Sequence, residues 1–283
     1  MKRIVVIGGT SSLAQHLMPV LSKDNVVISM GRKNCDIHCD LLEKTDSFAL
    51  PENADVVVHI AASFEGNTDE EIIKTEETNA LGTLKVCMSV YKAKVKHLIV
   101  ISSLSAVLDE NSLYYNIYSI SKRHSEELAV YYCSHKKIPL TILRPSQIYD
   151  EKGCFRKHQP LLYLMADNAQ LGKDINIYGS NDALRNYIHV EDMVEIITRT
   201  IKTGCTGVYS CTNPKDVKLS DVAQGALSVF NKGGKIVFLN NKKDIPDNVF
   251  YNDTVLYEKI KFYPQIDLIA GMKKIYHYRM GNS

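Results

Sequence analysis

The sequence predicts an α/β fold built on a doubly wound parallel sheet, and three observations support this prediction. Short runs rich in β-branched residues alternate with longer helical patterns through the first half of the chain. The first run, residues 4–7, has no polar alternation, which is typical of a strand that is buried on both faces. It leads directly into glycines, as a strand does at a tight turn into a helix. This alternation implies right-handed crossovers and parallel pairing.

The remaining elements of the first half follow the same alternation. Strands are predicted over residues 26–30, 56–60, 97–101 and 140–143, and helices over residues 13–21, 70–91 and 118–135. Pro19 lies inside the first helix, where a proline removes one backbone hydrogen bond and costs about 3 kcal/mol. We therefore expect this helix to kink or to end early at Pro19.

A second, more irregular region begins after about residue 150. Turn residues become denser there, and isolated strands are predicted over residues 175–178, 208–211 and 235–239. We predict a first domain over residues 1–150, completed by about 186–212. A smaller lobe would then comprise residues 151–185 and 213–283.

Composition and charge exclude several classes of protein. With 283 residues, 45% hydrophobic and 23% charged, the chain has the profile of a globular protein with a large core. Lys and Arg together number 34 and Asp and Glu 32, a balance that disfavours binding along a nucleic-acid backbone. No apolar run approaches the roughly 20 residues that span a bilayer, and the run at residues 4–7 is too short for a signal peptide. We therefore expect a cytoplasmic protein that binds neither nucleic acid nor membrane.

The cysteines indicate reduced thiols. They number 7, which is odd, and no CxxC pair is present, so a framework in which every cysteine is paired is excluded. Cys35, His38 and Cys39 are close in sequence, but no second cluster supplies the remaining ligands of a structural zinc site. We therefore expect no metal.

The turn after the first strand has the composition of a phosphate-binding turn, in which backbone N–H groups at a helix N-terminus hold a diphosphate. The GxxGxxG pattern falls on Gly8, Ser11 and Ala14, and alanine at the third place still allows close helix packing. Ser11 departs from the pattern because its side chain crowds the phosphates, although its hydroxyl can donate a hydrogen bond. The candidate contacts are Gly8, Thr10, Ser11, Ser12 and Leu13. On this motif alone, an ordinary strand–helix turn is an equal alternative.

The end of the second predicted strand bears on which dinucleotide would bind. NAD-binding proteins carry an acidic residue there, which accepts hydrogen bonds from a ribose hydroxyl. Residues 29–33 read SMGRK instead, and the planar guanidinium of Arg32 is suited to a 2′-phosphate. This favours NADP, with NAD still possible, and the alternative is a solvated basic turn. Asp40, and more weakly Asp36, is a candidate acceptor for the adenine amino group.

Tyr118 and Lys122 are four residues apart in a predicted helix and would share one of its faces. A free tyrosine has a pKa of about 10, and a nearby cation lowers it, so that the phenol can exchange a proton with a carbonyl oxygen or an alcohol. The same spacing recurs at Tyr132 with Lys136 and at Tyr257 with Lys261. For those two tyrosines a partly buried aromatic is the simpler interpretation.

Context favours Tyr118 over the other two tyrosines. Its helix follows a strand that ends in Ser102 and Ser103, so the helix can return across the same edge of the sheet. The Ser103 hydroxyl can donate to a substrate oxygen and polarise a carbonyl group. For Ser102 and Ser105, capping of the strand end and the turn is the favoured interpretation.

With these residues the chain resembles the extended short-chain dehydrogenases/reductases of the NAD-dependent epimerase/dehydratase family. The matching motifs occur in order from residue 4 to about residue 212. They are the glycine turn, Asp40-Leu41, residues 58–62 (VHIAA), 79–83 (NALGT) and 101–103 (ISS), the Tyr118/Lys122 pair, and residues 143–149 (LRPSQIY) and 185–192 (RNYIHVED). Their joint order, rather than any single motif, is specific.

The resemblance implies a Rossmann domain that binds a nicotinamide dinucleotide, followed by a substrate-binding lobe. It implies that Ser103, Tyr118 and Lys122 are catalytic, with Lys122 also reaching the nicotinamide ribose. Further cofactor positions are implied at Leu41, Ala61, Ala62, Asn79 and Pro145, with Asn79 as a buttress of the site. Gln147 and Arg185 match positions near a substrate diphosphate, and His189 and Asp192 match structural positions that fasten the second lobe to the first.

The family acts mostly on sugars carried by nucleoside diphosphates, and Arg156 or Lys157 would offer further donors for the diphosphate. A preference for NADP favours net reduction, so the resemblance implies an NADP-dependent reductase of a nucleotide-linked 4-keto-(6-deoxy)sugar. Alternatives are a nucleotide-sugar 4-epimerase that retains NAD(P), a reductase of a non-sugar ketone or lactone, and a non-catalytic NADP-sensing regulator. No acid follows Ser103, where dehydratases place one. By analogy with the family we expect a homodimer formed through helices 70–91 and 118–135.

Overall fold

The structure is a computed structural model that describes residues 1–44, 49–250 and 253–281. Its strands in chain order are β1 (Arg3–Ile7), β2 (Val26–Gly31), β3 (Ile37–His38), β4 (Val56–His59), β5 (His97–Ile101), β6 (Leu140–Pro145), β7 (Gln147–Tyr149), β8 (Ile175–Tyr178), β9 (Leu184–Arg185), β10 (Tyr187–His189), β11 (Gly207–Cys211), β12 (Val217–Lys218) and β13 (Ile236–Leu239). Its α-helices are α1 (Ser12–Leu21), α2 (Asp69–Glu76), α3 (Gly82–Lys92), α4 (Ile117–Lys136), α5 (Pro160–Gln170), α6 (Val190–Thr203), α7 (Leu219–Phe230), α8 (Val255–Ile260) and α9 (Leu268–Gly281).

The main sheet is doubly wound. Its strand order is β11-β6-β5-β4-β1-β2-β3, and the pairs from β6 to β3 are parallel. From β1 the chain adds β2 and β3 on one side and then returns to add β4, β5 and β6 on the other. The winding direction therefore changes between β1 and β4, and ligands of such sheets bind at the carboxyl ends of the strands around this point. The predicted fold class is confirmed.

The central strands are apolar because both of their faces are covered. Every residue of β4 and β5 is buried, as are four of the five residues of β1. Val5, Val57 and Leu98 are 0% exposed and lie in one apolar cluster with residues of the flanking helices α3 and α4. Burial of such side chains contributes about 1.5–3 kcal/mol each, which fixes the register of the strands and so the places where their carboxyl ends lie.

The helix at residues 13–21 does not end early at Pro19, so of the two outcomes expected there, a kink or an early end, the early end is wrong. Helix α1 continues to Leu21, and the backbone N–H of Ser22 donates to the Met18 carbonyl at 2.9 Å. Pro19 is exposed and lies in the last turn of the helix. The turns therefore continue past it, although proline itself donates no backbone hydrogen bond.

The long helix predicted over residues 70–91 is interrupted by one π-helical turn. The elements are α2, a π-helical segment at Glu77–Leu81, and α3. The π segment carries Asn79, and Gly82 follows it; a Cβ atom on Gly82 would lie 3.0 Å from the Leu41 Cβ atom. Single π-helical turns are frequent at functional sites because they re-aim one side chain.

The chain forms two compact units. The first comprises Met1–Pro145, Val194–Ser210 and Val255–Ile260, and the second comprises Ser146–Met193, Cys211–Thr254 and Lys261–Ser283. Compared with the predicted division, residues 186–193 lie in the second unit and Val255–Ile260 in the first. The second unit contains the parallel pairs β7/β10 and β8/β13 and the antiparallel pair β9/β12. Within the described ranges, no helix has the length and apolar character needed to cross a bilayer.

Candidate active site

The turn between β1 and α1 requires glycine at position 8. Gly8 has φ +92°, and its backbone N–H donates to the Met30 carbonyl at 2.8 Å. A Cβ atom at this position would lie 2.6 Å from the backbone nitrogen of Ala61. Only glycine combines this backbone conformation with so close an approach, and the turn thereby leads the chain straight into the N-terminus of α1.

Ser11, the departure from the glycine pattern, is the N-cap residue of α1. Its Oγ accepts a hydrogen bond from the Ala14 backbone N–H at 3.3 Å. The first helical residues are Ser12 and Leu13, and Leu13 is 4% exposed, so its side chain belongs to the core. Thr10 is exposed in the turn itself. The backbone N–H groups of Gly8, Gly9 and Ser11 are bonded within the protein, and the contacts of this segment with a diphosphate stay predictions.

The turn after β2 presents a cation rather than a carboxylate. Arg32 is exposed, and among the described residues it makes no hydrogen bond or ion pair. The Asp36 carboxylate accepts from Ser29, from the backbone N–H at 2.8 Å and from Oγ at 2.7 Å. These bonds lower the pKa of Asp36. The Asp36 carboxylate is therefore already bonded to β2, and this makes Asp36 a still weaker candidate for the adenine contact.

Asp40 and Leu41 lie beside the first residues of α3. Asp40 Oδ1 accepts from the Leu42 backbone N–H at 3.0 Å. Leu41 is 5% exposed, and its carbonyl accepts from Lys85 Nζ at 2.7 Å. Both residues are held by local contacts, and their roles toward a cofactor stay predictions.

The end of β4 packs against the glycine turn and is held by Asn79. The Ala61 backbone N–H donates to the Ile7 carbonyl at 3.0 Å, and Ala62 follows it. The Asn79 amide accepts from the Ser63 backbone N–H at 2.7 Å and donates to the Ser63 carbonyl at 2.8 Å. It also donates to Ser121 Oγ on α4 at 2.9 Å. The Asn79 side-chain amide is thus bonded to other residues of the protein through both its oxygen and its nitrogen. This suits a residue that supports the site rather than one that contacts a ligand.

Ser103, Tyr118 and Lys122 come together at the carboxyl end of β5. Tyr118 lies in the first turn of α4, and Lys122 Nζ is 5.9 Å from the centre of its ring. Lys122 is 4% exposed and donates to the Ile101 carbonyl at 2.9 Å. The Ser103 hydroxyl forms a hydrogen bond with Tyr118 and accepts from the Ser105 backbone N–H at 3.1 Å. Phe64 stacks on the Tyr118 ring with centroids 4.5 Å apart.

Burial governs the protonation of this group. It lowers the pKa of Lys122 to about 8, an effect that the Glu126 carboxylate opposes. Burial also raises the pKa of Tyr118 above its usual value, and the hydrogen bond with Ser103 offsets only part of the increase. The lowered pKa expected for Tyr118 beside Lys122 is therefore wrong in direction, and the phenol is protonated at neutral pH.

An ion pair beside this group was not anticipated from the sequence. Ser102 Oγ donates to Glu126 Oε1 at 2.5 Å, and the Arg144 guanidinium donates to both carboxylate oxygens of Glu126. Ser102 therefore joins β5 to α4, and the simple capping role expected for it is wrong. The sequence did indicate that Glu126 lies near Lys122, because it follows Lys122 by four residues on the same helix.

The other two Tyr/Lys pairs lie in apolar surroundings. Tyr257 is 0% exposed in α8 of the first unit. Tyr132 packs against the apolar cluster under the sheet, and burial raises its pKa. Buried or partly buried aromatic side chains, as expected, describe both residues.

The predicted substrate contacts lie in the second unit, after the buried Pro145 that ends β6. Gln147 Nε2 donates to Gln159 Oε1 at 2.8 Å. Arg185 is 5% exposed, and its Nη1 donates to the carbonyls of Leu184 and Pro246 at 2.7 and 2.9 Å.

Two further predictions concern charged residues of the second unit. Arg156 is paired with both carboxylate oxygens of Asp167, at 2.6 and 3.0 Å, which removes it from the expected diphosphate donors. Asp192 accepts from the backbone N–H groups of Gln265 and Ile266 at 2.9 and 3.0 Å. Asp192 is thus structural, but both of its partners lie in the second unit, as Asp192 does, so these bonds join parts of one unit. His189 is 0% exposed and also lies in the second unit.

Solved structures share this fold across the whole chain. UDP-glucose 4-epimerase from Thermotoga maritima superposes with a TM-score of 0.80, covering 99% of this chain and 100% of that chain at 18% identity. RMD from Pseudomonas aeruginosa, solved with NADPH, gives a TM-score of 0.80 and 19% identity, with 100% of both chains covered.

Curated relatives are distant. dTDP-D-glucose 4,6-dehydratase from Dictyostelium discoideum is 25% identical over 273 residues, which cover 81% of this chain and 62% of that protein. The chain thus spans less than two thirds of that relative. The Bos taurus enzyme of the same name is 22% identical and is covered to 87%, with 96% of this chain aligned.

The family model of the NAD dependent epimerase/dehydratase family matches residues 4–211. This range includes the glycine turn, the Asn79 segment and the Ser103/Tyr118/Lys122 group, in the order that the motifs indicated. The match covers well over half of the 283 residues, and the resemblance inferred from the motifs is confirmed. The chain belongs to the NAD dependent epimerase/dehydratase family, whose members are NAD(P)-dependent enzymes.

Proposed function

We propose that this protein is an NADP-dependent reductase of a nucleotide-linked 4-keto-(6-deoxy)sugar. The observation that carries the proposal is the convergence of Ser103, Tyr118 and Lys122 at the carboxyl end of β5. A neutral phenol bonded to a serine hydroxyl can donate a proton to a carbonyl oxygen, and a buried ammonium stabilises the phenolate that remains.

The residues present fit a dinucleotide. The turn that Gly8 makes possible leads into the N-terminus of α1, where backbone N–H groups of the first helical turn favour a diphosphate. Arg32 supports NADP over NAD, because it is unpaired among the described residues and the last residues of β2, Met30 and Gly31, carry no carboxylate. Neighbours of the same fold were solved with either cofactor, the Pseudomonas protein with NADPH and the Bordetella bronchiseptica protein with NAD+, so the choice rests on Arg32. When bound, the cofactor supplies the hydride.

Proton transfer is the work of the chain's own residues. The Tyr118 phenol is protonated at neutral pH, as the reductive direction requires. Because burial raises its pKa, proton donation depends on Ser103 and Lys122 to stabilise the phenolate that remains. Ser103 shares a hydrogen bond with the phenol and can orient the substrate oxygen toward it. Lys122 is buried beside the ring and compensates negative charge that develops on Tyr118.

The substrate class is supported by the relatives and by the residues around Ser103. The names of several relatives and neighbours refer to dTDP- or UDP-linked sugars. Leu104 and Ser105 follow Ser103, so the acid that a dehydration would use is missing at that place. Gln147 and Arg185 are the proposed contacts of the substrate diphosphate.

A 4-epimerase is the second candidate, because several neighbours of the same fold are named as 4-epimerases. An epimerase would convert the nucleotide sugar without net consumption of NADPH. The cofactor balance of the reaction therefore separates the two candidates.

The first test follows NADPH absorbance with a nucleotide-linked 4-keto-6-deoxysugar. The wild-type protein should consume NADPH, and Tyr118→Phe should lose at least about 100-fold in kcat, the usual contribution of a general acid, while still binding NADPH. Tyr132→Phe is the matched control, because it removes a hydroxyl from the same helix with the same spacing to a lysine. Equal activity of Tyr118→Phe and Tyr132→Phe would contradict the mechanism, and turnover without NADPH loss would favour the epimerase.

The cofactor preference is tested at Arg32. Arg32→Ser should raise the Kd of NADPH by about 10-fold or more, as expected when a charged hydrogen bond to a phosphate is lost, and should leave the Kd of NADH unchanged. Lys33→Ser removes the neighbouring exposed charge and is the control. A similar change in both Kd values would show that Arg32 does not contact a 2′-phosphate.

A further inference from the structure

The ion pair between Glu126 and Arg144 is buried beside the catalytic group. Glu126 is 5% exposed, and Arg144 Nε donates to its two carboxylate oxygens at 2.9 and 3.0 Å. Burying two charges costs desolvation energy, and such a pair is often no more stabilising than apolar residues of similar volume. Stability alone therefore does not account for its position.

The same carboxylate binds the strand end that carries Ser103. Ser102 is 3% exposed, and its Oγ donates to Glu126 Oε1 at 2.5 Å. One helical turn earlier, Lys122 Nζ donates to the Ile101 carbonyl at 2.9 Å. Two consecutive residues at the end of β5 are thus bound by two side chains of α4. These bonds set the spacing between Ser103 and the helix that carries the phenol and the ammonium.

The titratable groups that face Lys122 come from three elements. Tyr118 and Glu126 lie on α4, one turn before and one turn after it. His59 on β4 is neutral, because burial and the charge of Lys122 lower its pKa to about 3. Arg144 on β6 acts through Glu126. Glu126 is the anion of this set, and it opposes the effect of burial on the Lys122 ammonium.

We propose that Glu126 is a positioning residue, which holds the end of β5 through Ser102 so that Ser103 faces Tyr118, and which is the anion one helical turn from the Lys122 ammonium. The proposal rests on the proposed function only in giving Lys122 a part in catalysis. A purely structural ion pair makes a different prediction. Loss of either partner breaks the same bond, so both losses would then affect Lys122 in the same way.

The charge is tested by NMR titration of Lys122 in 13C-lysine-labelled protein, with the resonance assigned by its absence in Lys122→Arg. Glu126→Gln should move the titration midpoint to lower pH by about one unit, because the ammonium loses a neighbouring anion. Arg144→Gln keeps the anion and removes a cation, so the midpoint should stay or move to higher pH. Glu127→Gln removes an exposed carboxylate from the same helix and should leave the midpoint unchanged.

Two NMR results would overturn the proposal. One is an unchanged midpoint in Glu126→Gln, and the other is a shift to lower pH of similar size in Arg144→Gln. Circular dichroism checks that each variant is folded. Where Glu126→Gln does not fold, Arg144→Gln alone decides, because a shift to lower pH in that variant contradicts the role of the carboxylate.

The positioning role is tested by activity with NADPH and the nucleotide-linked 4-keto-6-deoxysugar. In Glu126→Gln the alkaline limb of kcat/KM should move to lower pH by the same amount as the NMR midpoint. Ser102→Ala removes only the hydroxyl contact with Glu126. It should lower kcat about 10-fold and leave the alkaline limb of the kcat/KM profile at the same pH. Two results would overturn the link to catalysis. One is a Glu126→Gln variant in which the NMR midpoint of Lys122 moves but the alkaline limb of kcat/KM does not, and the other is full activity of Ser102→Ala. Absence of turnover in the wild type would instead refute the proposed function, and the NMR result would still decide the effect of Glu126 on Lys122.

Discussion

Gly8 carries two constraints that no other residue type meets. Its φ of +92° is strained for any residue with a side chain, and the Ala61 backbone nitrogen would lie 2.6 Å from a Cβ atom. Gly204 shares the positive φ, at +65°, but nothing lies within 4 Å of the place a Cβ atom would take. A substitution at Gly204 therefore meets backbone strain alone, whereas a substitution at Gly8 meets both backbone strain and a clash with Ala61.

Substitution by alanine should distinguish these positions. Gly204→Ala should lower the free energy of unfolding by about 1 kcal/mol, the cost of left-handed backbone alone. Gly8→Ala should cost about 3 kcal/mol or more and should also weaken NADPH binding, because the turn must move to relieve the clash. Urea unfolding and NADPH titration measure both effects. Equal losses of stability in the two variants would show that the contact with Ala61 is not tight.

Single residues also show what sequence could and could not predict. Gly8, Tyr118, Lys122 and Ser103 follow from spacing and from their place after a strand, because local chain geometry fixes those relations. The contact of Ser102 with Glu126 could not be predicted, because Glu126 is 24 residues away and meets Ser102 only when α4 packs on the sheet. The raised pKa of Tyr118 was missed for the same reason, since its burial is a property of the packed fold.

Elements were predicted well where their apolar pattern is continuous. Strand β5 has the predicted bounds, and α4 differs from the prediction by one residue at each end. The π-helical segment at Glu77–Leu81 was not predicted, because it arises where α2 and α3 join over the buried Asn79. A short internal change of helical pitch leaves no clear periodic signal in the sequence.

Strands β4 and β5 each hold a buried neutral histidine. Thr83 Oγ1 donates to the Asn79 carbonyl, and Thr141 Oγ1 donates to the Cys205 carbonyl. Because each hydroxyl already donates its hydrogen to a carbonyl, it can only accept a hydrogen bond from the histidine beside it. Nε2 therefore carries the hydrogen in His59, which contacts Thr83, and in His97, which contacts Thr141. Burial lowers the pKa of His97 to about 4 and that of His59 to about 3.

The fold should therefore lose stability in mild acid. Below pH 6.5 the unfolded chain binds protons that the buried histidines do not, so the free energy of unfolding falls as the pH is lowered toward 4. His97 should account for on the order of 2 kcal/mol of this loss. His97→Gln keeps an N–H donor but cannot be protonated, and urea unfolding from pH 7 to pH 4 should give it a shallower loss than the wild type. The variant His277→Gln alters an exposed histidine and should follow the wild type, and identical slopes in all three proteins would contradict the assignment.

At the scale of the whole molecule, exposed apolar side chains on α2 and α4 suit the expected homodimer. They are Ile72 and Ile73 on α2 and Val130 and Tyr131 on α4, and these helices pack against each other in the first unit. Ile73 is 58% exposed and Tyr131 is 72% exposed. Exposed apolar side chains concentrated on the helices of one unit favour an association surface there.

We expect the wild-type protein to sediment as a dimer of 31.8 kDa chains and Tyr131→Glu to shift the equilibrium toward monomer. A buried charge without a partner is strongly unfavourable at an apolar interface. Tyr178→Glu alters a tyrosine of the second unit that is 51% exposed and serves as the control. Sedimentation velocity distinguishes the species, and a monomeric wild-type protein would contradict the expected dimer.

Transfer of deuterium tests the central claim most directly. The protein is incubated with [4-2H]NADPH, deuterated on the face from which hydride leaves, and with a nucleotide-linked 4-keto-6-deoxysugar, and the product is analysed by mass spectrometry and NMR. The account predicts one deuterium at C4 of the sugar for each NADPH consumed, and a rate of labelling at least about 100-fold lower when Tyr118 is replaced by Phe. Sugar product that carries no deuterium at C4, or labelling as fast in Tyr118→Phe as in the wild type, would contradict the account.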